Sequence, residues 1–242
     1  MSISRIGITG AAGNIGRTLT DAFKDSHELE LFDRVAITNS AHKSYVVDFS
    51  EKSELTGKFD TLDALIHLAG NPSPSASEND TIKNNFHATS LVFEEARRVG
   101  VKKIIFASSN FYHESHINDM MMGKRKKLIT LDSSPTPQSM YGKSKLFGEQ
   151  VGLHLSYLGV SFAALRIGWS VPQDSPLPYD SPYMRAMFCS KRDLSQAFMQ
   201  ALNAQQKFIT GFAISNNDTR LFDLTETNKQ LGFYPVDNSA EY

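Results

Sequence analysis

Cysteine is almost absent: Cys189 is the single one in 242 residues. This excludes an internal disulfide framework and a thiolate zinc cage, and it fits a reducing compartment. Neither sign of charge is in excess, since 25 Lys and Arg against 26 Asp and Glu give a formal net charge of −1. No global field therefore favours nucleic acid or an anionic membrane. No apolar run approaches the ~20 residues needed to span a bilayer. The first strand is expected to begin near Ile3, which leaves no room for a charged and apolar leader. A soluble cytoplasmic protein with no nucleic-acid or membrane partner is expected. Repeats and low-complexity stretches are also lacking.

What is present is an alternation of strand and helix patterns over a chain that is 40% hydrophobic and 21% charged, enough to bury a real core. Short apolar strands are expected at Ser4 to Thr9, Leu29 to Phe32, Lys43 to Val47, Ala64 to Leu68, Lys103 to Ala107, Ser161 to Arg166 and Gly211 to Ser215. Helical periodicity marks Ile15 to Lys24, Ile82 to Val99 (closed by Gly100), Tyr141 to Leu158 (closed by Gly159), Lys191 to Asn203 and Leu224 to Leu231. Such βα repeats predict an α/β fold, a doubly wound parallel sheet of Rossmann type with helices on both faces. The division expected is a dinucleotide-binding domain over 1–168 and a small substrate-binding appendage over 169–242, interleaved with the first. Two segments break the rhythm. Phe111 to Gln138 reads as a loop with some local helix, and the proline-rich Ser170 to Ser181 excludes regular helix or central strand. Both follow strands and should emerge at the carboxyl edge of the sheet, where open α/β folds bind ligands.

Between the first strand and the first helix lies Thr9-Gly10-Ala11-Ala12-Gly13-Asn14-Ile15-Gly16. Gly10 permits the sharp turn, Gly13 lets backbone approach a pyrophosphate, and Gly16 lets the helix pack close to the strand. The helix amino terminus supplies unpaired N–H groups and a positive dipole end to the phosphates. Asp33 ends the second strand, 23 residues past Gly10, where a carboxylate takes the adenosine ribose hydroxyls. It would repel a 2′-phosphate, so NAD is preferred over NADP; Arg34 beside it would welcome that phosphate.

Tyr141-Gly142-Lys143-Ser144-Lys145 puts Tyr141 and Lys145 four apart on one helical face. A free phenol, with a pKa of about 10, is a poor base at neutral pH, and a neighbouring ammonium favours its ionised form. Lys145 can also hold a nicotinamide ribose. Ser109, ending the fifth strand, would donate to or orient the reacting oxygen.

The stretches TGAAGNIG, HLAGNPSP, NNFHAT, FASSN, YGKSKLFGE, LRIG, AMFCSKRDLSQAF, ISNNDTR and LGFYPVDNSAEY together resemble an extended short-chain dehydrogenase of the NAD-dependent epimerase/dehydratase family. Within it the chain is most similar to the branch of uronate dehydrogenases and archaeal NAD-dependent glucose-6-phosphate dehydrogenases. The resemblance implies that Asp48 and Phe49 flank the adenine, that Leu68, Ala69 and Gly70 line the cofactor, and that Asn85 supports the active site. It implies that Ser73, Ser109 and Asn110 touch substrate. Phe111 stands where the branch has histidine. Tyr183 stands where it has a substrate-binding arginine; either Arg185 takes over or the acidic group of the substrate differs. Pairing of the two long helices into a homodimer is also implied.

Other features have plainer readings. His113 and His116 lack further ligands at metal spacing and read as part of a solvated loop. Lys124 to Lys127 reads as a solvated face, and Met120 to Met122 as lid, dimer surface or core. Trp169 either walls the sugar pocket or simply packs. The expected activity is NAD-dependent oxidation of a sugar (uronate, hexose phosphate or aldose) at C1 to the lactone, with Tyr141 as base. The alternatives are nucleotide-sugar epimerase or dehydratase work and a non-catalytic NAD(H)-sensing module.

Overall fold

A computed structural model describes residues 3–38 and 40–242. From the amino terminus the elements are β1 (Arg5–Thr9), α1 (Asn14–Phe23), β2 (Glu28–Asp33), β3 (Lys43–Val46), α2 (Lys52–Leu55) and β4 (Ala64–His67). There follow α3 (Glu78–Thr81), a π-helical turn (Ile82–His87) leading into α4 (Ala88–Val99), β5 (Lys103–Ser109), a 3₁₀ turn (Asn110–His113) and α5 (Glu114–Met121). The remainder comprises α6 (Met140–Tyr157), β6 (Ser161–Ile167), α7 (Pro182–Met187), α8 (Lys191–Asn203), β7 (Phe208–Ala213) and α9 (Thr225–Leu231).

All pairings are parallel and the sheet order is β3-β2-β1-β4-β5-β6-β7. This is the doubly wound arrangement predicted from the βα alternation. Alternation along each strand builds the two core layers. Ile66, Ile105 and Leu165 pack on one face with α1, α8 and α9, while Leu65, Ile104 and Phe106 pack on the other with α4 and α6. Because both faces are covered, β5 is buried at every position, as its continuous KIIFA run requires. Phe93 of α4 meets Phe106 of β5 and Phe162 of β6 edge-to-face, at centroid distances of 5.6 and 5.3 Å. Each such buried ring contributes about 1.5–3 kcal/mol, and together they fix the strands whose carboxyl ends carry the site.

Residues after 168 supply β7 and α8 to this same layered body. A third apolar cluster joins Ile117 and Ile129 to Met187, Phe212, Ile214 and Phe222. The Ile129 amide donates to Leu221 O at 2.9 Å and Ile129 O accepts from the Asp223 amide at 2.8 Å.

The structure departs from the predicted elements in a few places. Helix α7 departs from the expectation set by the prolines that precede it; Pro182 sits in its first turn, where a missing N–H is harmless, and Ser181 caps it. Short α2 was also not anticipated. The long helix begins at Glu78 rather than Ile82, under a Ser77 cap. β7 begins at Phe208 rather than Gly211 and ends at Ala213. His113 does not lie in a solvated loop: it is buried, with Nε2 3.1 Å from an Arg166 guanidinium nitrogen. Burial and then Arg166 lower its pKa to about 3, so the imidazole is neutral and accepts that donor. Among the described residues, no helix is long and apolar enough to cross a membrane.

Candidate active site

The strand order reverses between β1 and β4, and a crevice of about 840 Å³ opens there at the carboxyl ends. Its near bank is the β1–α1 turn. Gly10 has a φ of 71°, and a Cβ on it would lie 2.8 Å from the Ala69 amide nitrogen. A Cβ on Gly16 would lie 2.4 Å from Gly10 O, so only glycine lets α1 sit this close to β1. No side chain caps α1 and its first turn carries no acidic residue. The helix therefore presents free N–H groups and a positive dipole end, a cradle that fits a pyrophosphate. Gly10, Gly13, Asn14, Ile15 and Gly16 all line it.

Asp33 and Arg34, where β2 ends, line the same crevice, as do Asp48 and Phe49 after β3. Asp33 accepts the Ala12 amide at 2.9 Å and the Val35 amide at 3.1 Å, which aims its carboxylate beside the turn. Ser50 donates to Asp48 through its hydroxyl and amide and holds that carboxyl below its usual pKa, so Asp48 stays anionic. Leu68, Ala69 and Gly70 form the floor past β4. Beneath them Thr9 Oγ1 lies 2.8 Å from Nδ1 of His67, whose burial and then Lys145 depress its pKa to about 3. This imidazole is thus a neutral strut and not an acid-base group.

The far bank gathers Ser109, Tyr141 and Lys145. Ser139 caps α6 by accepting the Gly142 amide, and Glu114 in turn accepts from the Ser139 amide and hydroxyl at 2.8 and 2.9 Å. Tyr141 is therefore held in the first turn of an anchored helix. A Cβ on Gly142 would lie 2.7 Å from Phe111 O, and this close approach brings the Phe111 and Tyr141 rings to 5.6 Å, edge-to-face. One turn on, Lys145 Nζ donates to Ala107 O at 2.9 Å and lies 5.3 Å from the Tyr141 ring centroid. Burial pushes the Tyr141 phenol above its usual pKa, opposed by hydrogen bonding with Ser109, and lowers Lys145 to about 8. Burial thus works against ionising this phenol and the Ser109 hydrogen bond works for it, with the Lys145 ammonium one helical turn away.

Asn110 and Trp169 also line the crevice, and Trp169 stacks on Tyr179 at 5.4 Å. Three predicted residues do not line it. Asn85 stands behind: its Oδ1 accepts the Asn71 amide at 2.8 Å, and its Nδ2 donates to Asn71 O at 3.0 Å and Ser144 Oγ at 3.3 Å. Asn85 thereby ties the β4 loop to α6. Ser73 faces Ser75, at 2.9 Å between hydroxyls. Arg185 is turned away, its guanidinium on Asp180 at 2.6 Å and Ser239 O at 2.8 Å. The Lys124–Lys127 run does not line the crevice either.

Sequence reasoning missed Tyr179, and it noted Tyr183 only as occupying the place of the branch's substrate-binding arginine, looking to Arg185 for the role. Tyr183 lines the crevice and its hydroxyl accepts from Asn110 Nδ2 at 2.8 Å. The signal for Tyr183 was that position itself; for Tyr179 it was a place in the aromatic run after the prolines.

Comparison with known proteins agrees with this geometry. The chain is 32% identical to the L-arabinose 1-dehydrogenase (NAD(P)(+)) of Haloferax volcanii, over 98% of each chain. It is 29% identical to the NAD-dependent glucose-6-phosphate dehydrogenase of the same organism, over 97% of this chain and 94% of that one. A solved structure described as a mutated uronate dehydrogenase superposes with a TM-score of 0.86 at 26% identity, covering 99% of this chain and 84% of its own. The model of the NAD dependent epimerase/dehydratase family matches residues 6–168. With its glycine cradle, strand order and full-length relatives in agreement, the chain belongs to the NAD dependent epimerase/dehydratase family.

Proposed function

We propose that the protein is an NAD-dependent sugar dehydrogenase that oxidises the C1 hydroxyl of a uronate, hexose phosphate or aldose to the lactone. One observation carries this reading: Tyr141 and Lys145 lie on one face of α6 beside Ser109, inside the crevice that the glycine turn opens. NAD, when bound along that turn, supplies the acceptor for the two electrons that leave the sugar carbon with its hydrogen. The protein's own residues handle the proton. Ser109 holds the sugar hydroxyl oxygen, the Tyr141 phenolate takes its proton, and the Lys145 ammonium stabilises that phenolate. Ser109 Oγ also accepts the Phe111 amide at 3.2 Å, which fixes its direction. The acidic Asp33 at the ribose end supports NAD over NADP, with Arg34 leaving NADP as a weaker cofactor. Exposed Leu153, Tyr157 and Leu158 on and just past the end of α6 support pairing of two copies through the long helices.

Tyr141→Phe tests the assignment. NAD affinity should stay unchanged while turnover falls by about 10²–10⁴ in an NADH-absorbance assay. Retained turnover removes Tyr141 as the base. Cofactor that stays bound through purification, with no net NADH release, replaces the dehydrogenase reading with an epimerase.

A further inference from the structure

The crevice has two chemically different ends. Strand order sets β2 and β3 to one side of β1, so Asp33, Arg34 and Asp48 cluster at the ribose end. On the other side, beyond Tyr141, the wall is aromatic: Phe111, Trp169, Tyr179 and Tyr183. Trp169 meets Tyr179 face-on at 5.4 Å and Tyr183 edge-on at 5.8 Å, which makes one continuous apolar surface. Neutral polar groups set into it or beside it include the Asn110 amide and the hydroxyls of Tyr183, Tyr179, Ser109 and Ser170.

Cations are missing from this wall. Among the described residues that line the crevice, only Arg34 and Lys145 are basic, and Arg34 belongs to the ribose end. Lys145 is committed to Ala107 O and to the Tyr141 ring. Arg185, two residues past Tyr183, spends its guanidinium on Asp180 and Ser239 O. Burial raises the Tyr183 phenol to about 12, so it offers a neutral donor and acceptor at every working pH. A carboxylate or phosphate on the sugar would leave water for a surface with no counter-charge, which is strongly unfavourable. The C–H face of an uncharged sugar packs on aromatic rings at no such cost, and its hydroxyls match Asn110, Tyr183 and Ser109.

We infer that the substrate is an uncharged aldose, and that Tyr183 is the residue that sets this specificity by presenting a neutral hydroxyl on the substrate wall. The inference rests on the dehydrogenase reading. Its test is the ratio of kcat/KM values, from NADH absorbance, for D-galactose, D-glucose and L-arabinose against galacturonate, glucuronate and glucose 6-phosphate. The full chain should favour a neutral aldose by ~100-fold or more. Tyr183→Arg should narrow the gap to the uronates by ~10-fold or more through a lower uronate KM, with NAD affinity unchanged. A wild-type preference for a uronate or the phosphate overturns the substrate class and leaves the dehydrogenase reading standing. NADH from none of the sugars overturns that reading as well. A Tyr183→Arg enzyme that still binds NAD but keeps the wild-type ratio removes Tyr183 from specificity. If that variant fails to fold, Tyr183→Phe provides the second measurement: loss of the Asn110 contact should lower kcat/KM for the neutral aldose, and an unchanged value overturns the role.

Discussion

Lys145 is only 8% exposed, and its ammonium relies on one carbonyl, Ala107 O, where water would offer several partners. Burial therefore lowers its pKa from 10.5 to about 8. The folded pKa lies below the unfolded one, so the buried charge costs stability at all pH values below about 8, and the cost fades as pH rises towards 10.5. At ~1.4 kcal/mol for each tenfold change in proton affinity, the cost is up to roughly 3 kcal/mol. Lys145→Met should accordingly be inactive, yet more resistant to urea than the wild type at pH 7, with the difference shrinking by pH 10. A difference that is constant across that range would show that Lys145 is not the titrating group. Tyr141 and Lys145 could be read from the sequence because a four-residue spacing fixes one helical face whatever packs around it. The direction of Arg185 could not. It depends on Asp180 and on Ser239, which is brought beside α7 only by the folded carboxyl-terminal segment.

The positions of most strands and helices were legible, since hydrophobic period and glycine punctuation are local properties, and their alternation implied the doubly wound parallel class. The π turn at Ile82–His87 was not, because its sequence is compatible with a regular helix and only tertiary contacts of Asn85 reward the wider turn. Two helix-packing glycines separate the two halves of the function. Gly16→Ala would push a methyl group into Gly10 O and Ala11, displacing α1 from the cradle. It should cost about 1–3 kcal/mol of stability and weaken NAD binding measured by fluorescence titration. Gly142→Ala would push α6 from Phe111 O instead. It should leave NAD affinity near the wild-type value while reducing kcat. If both variants lose NAD equally, the crevice does not divide into independent banks.

At the scale of the molecule, the two sides of the far bank are joined by a buried ion pair. Arg166 of β6 bonds Glu149 of α6 through Nε at 3.0 Å and a terminal nitrogen at 2.8 Å, while Ser108 donates to the same carboxylate at 2.5 Å. The guanidinium also lies 3.6 Å from the Tyr112 ring centroid and reaches His113, so strand, helix and the post-β5 segment share one charge network. Arg166→Met should lower stability by about 3–5 kcal/mol, because Glu149 is left charged and unpaired. Adding Glu149→Leu should recover much of that loss in a calorimetric scan. Failure of the double variant to recover would mean that packing against Tyr112, not charge pairing, is what Arg166 contributes. This network was illegible beforehand, as its members are scattered through the sequence and no spacing connects them. The Ile129 clasp to Leu221 and Asp223 ties the segment that leads to Tyr141 to the stretch just before α9. Loosening that distant stretch should therefore be felt at the far bank before it is felt at the glycine cradle.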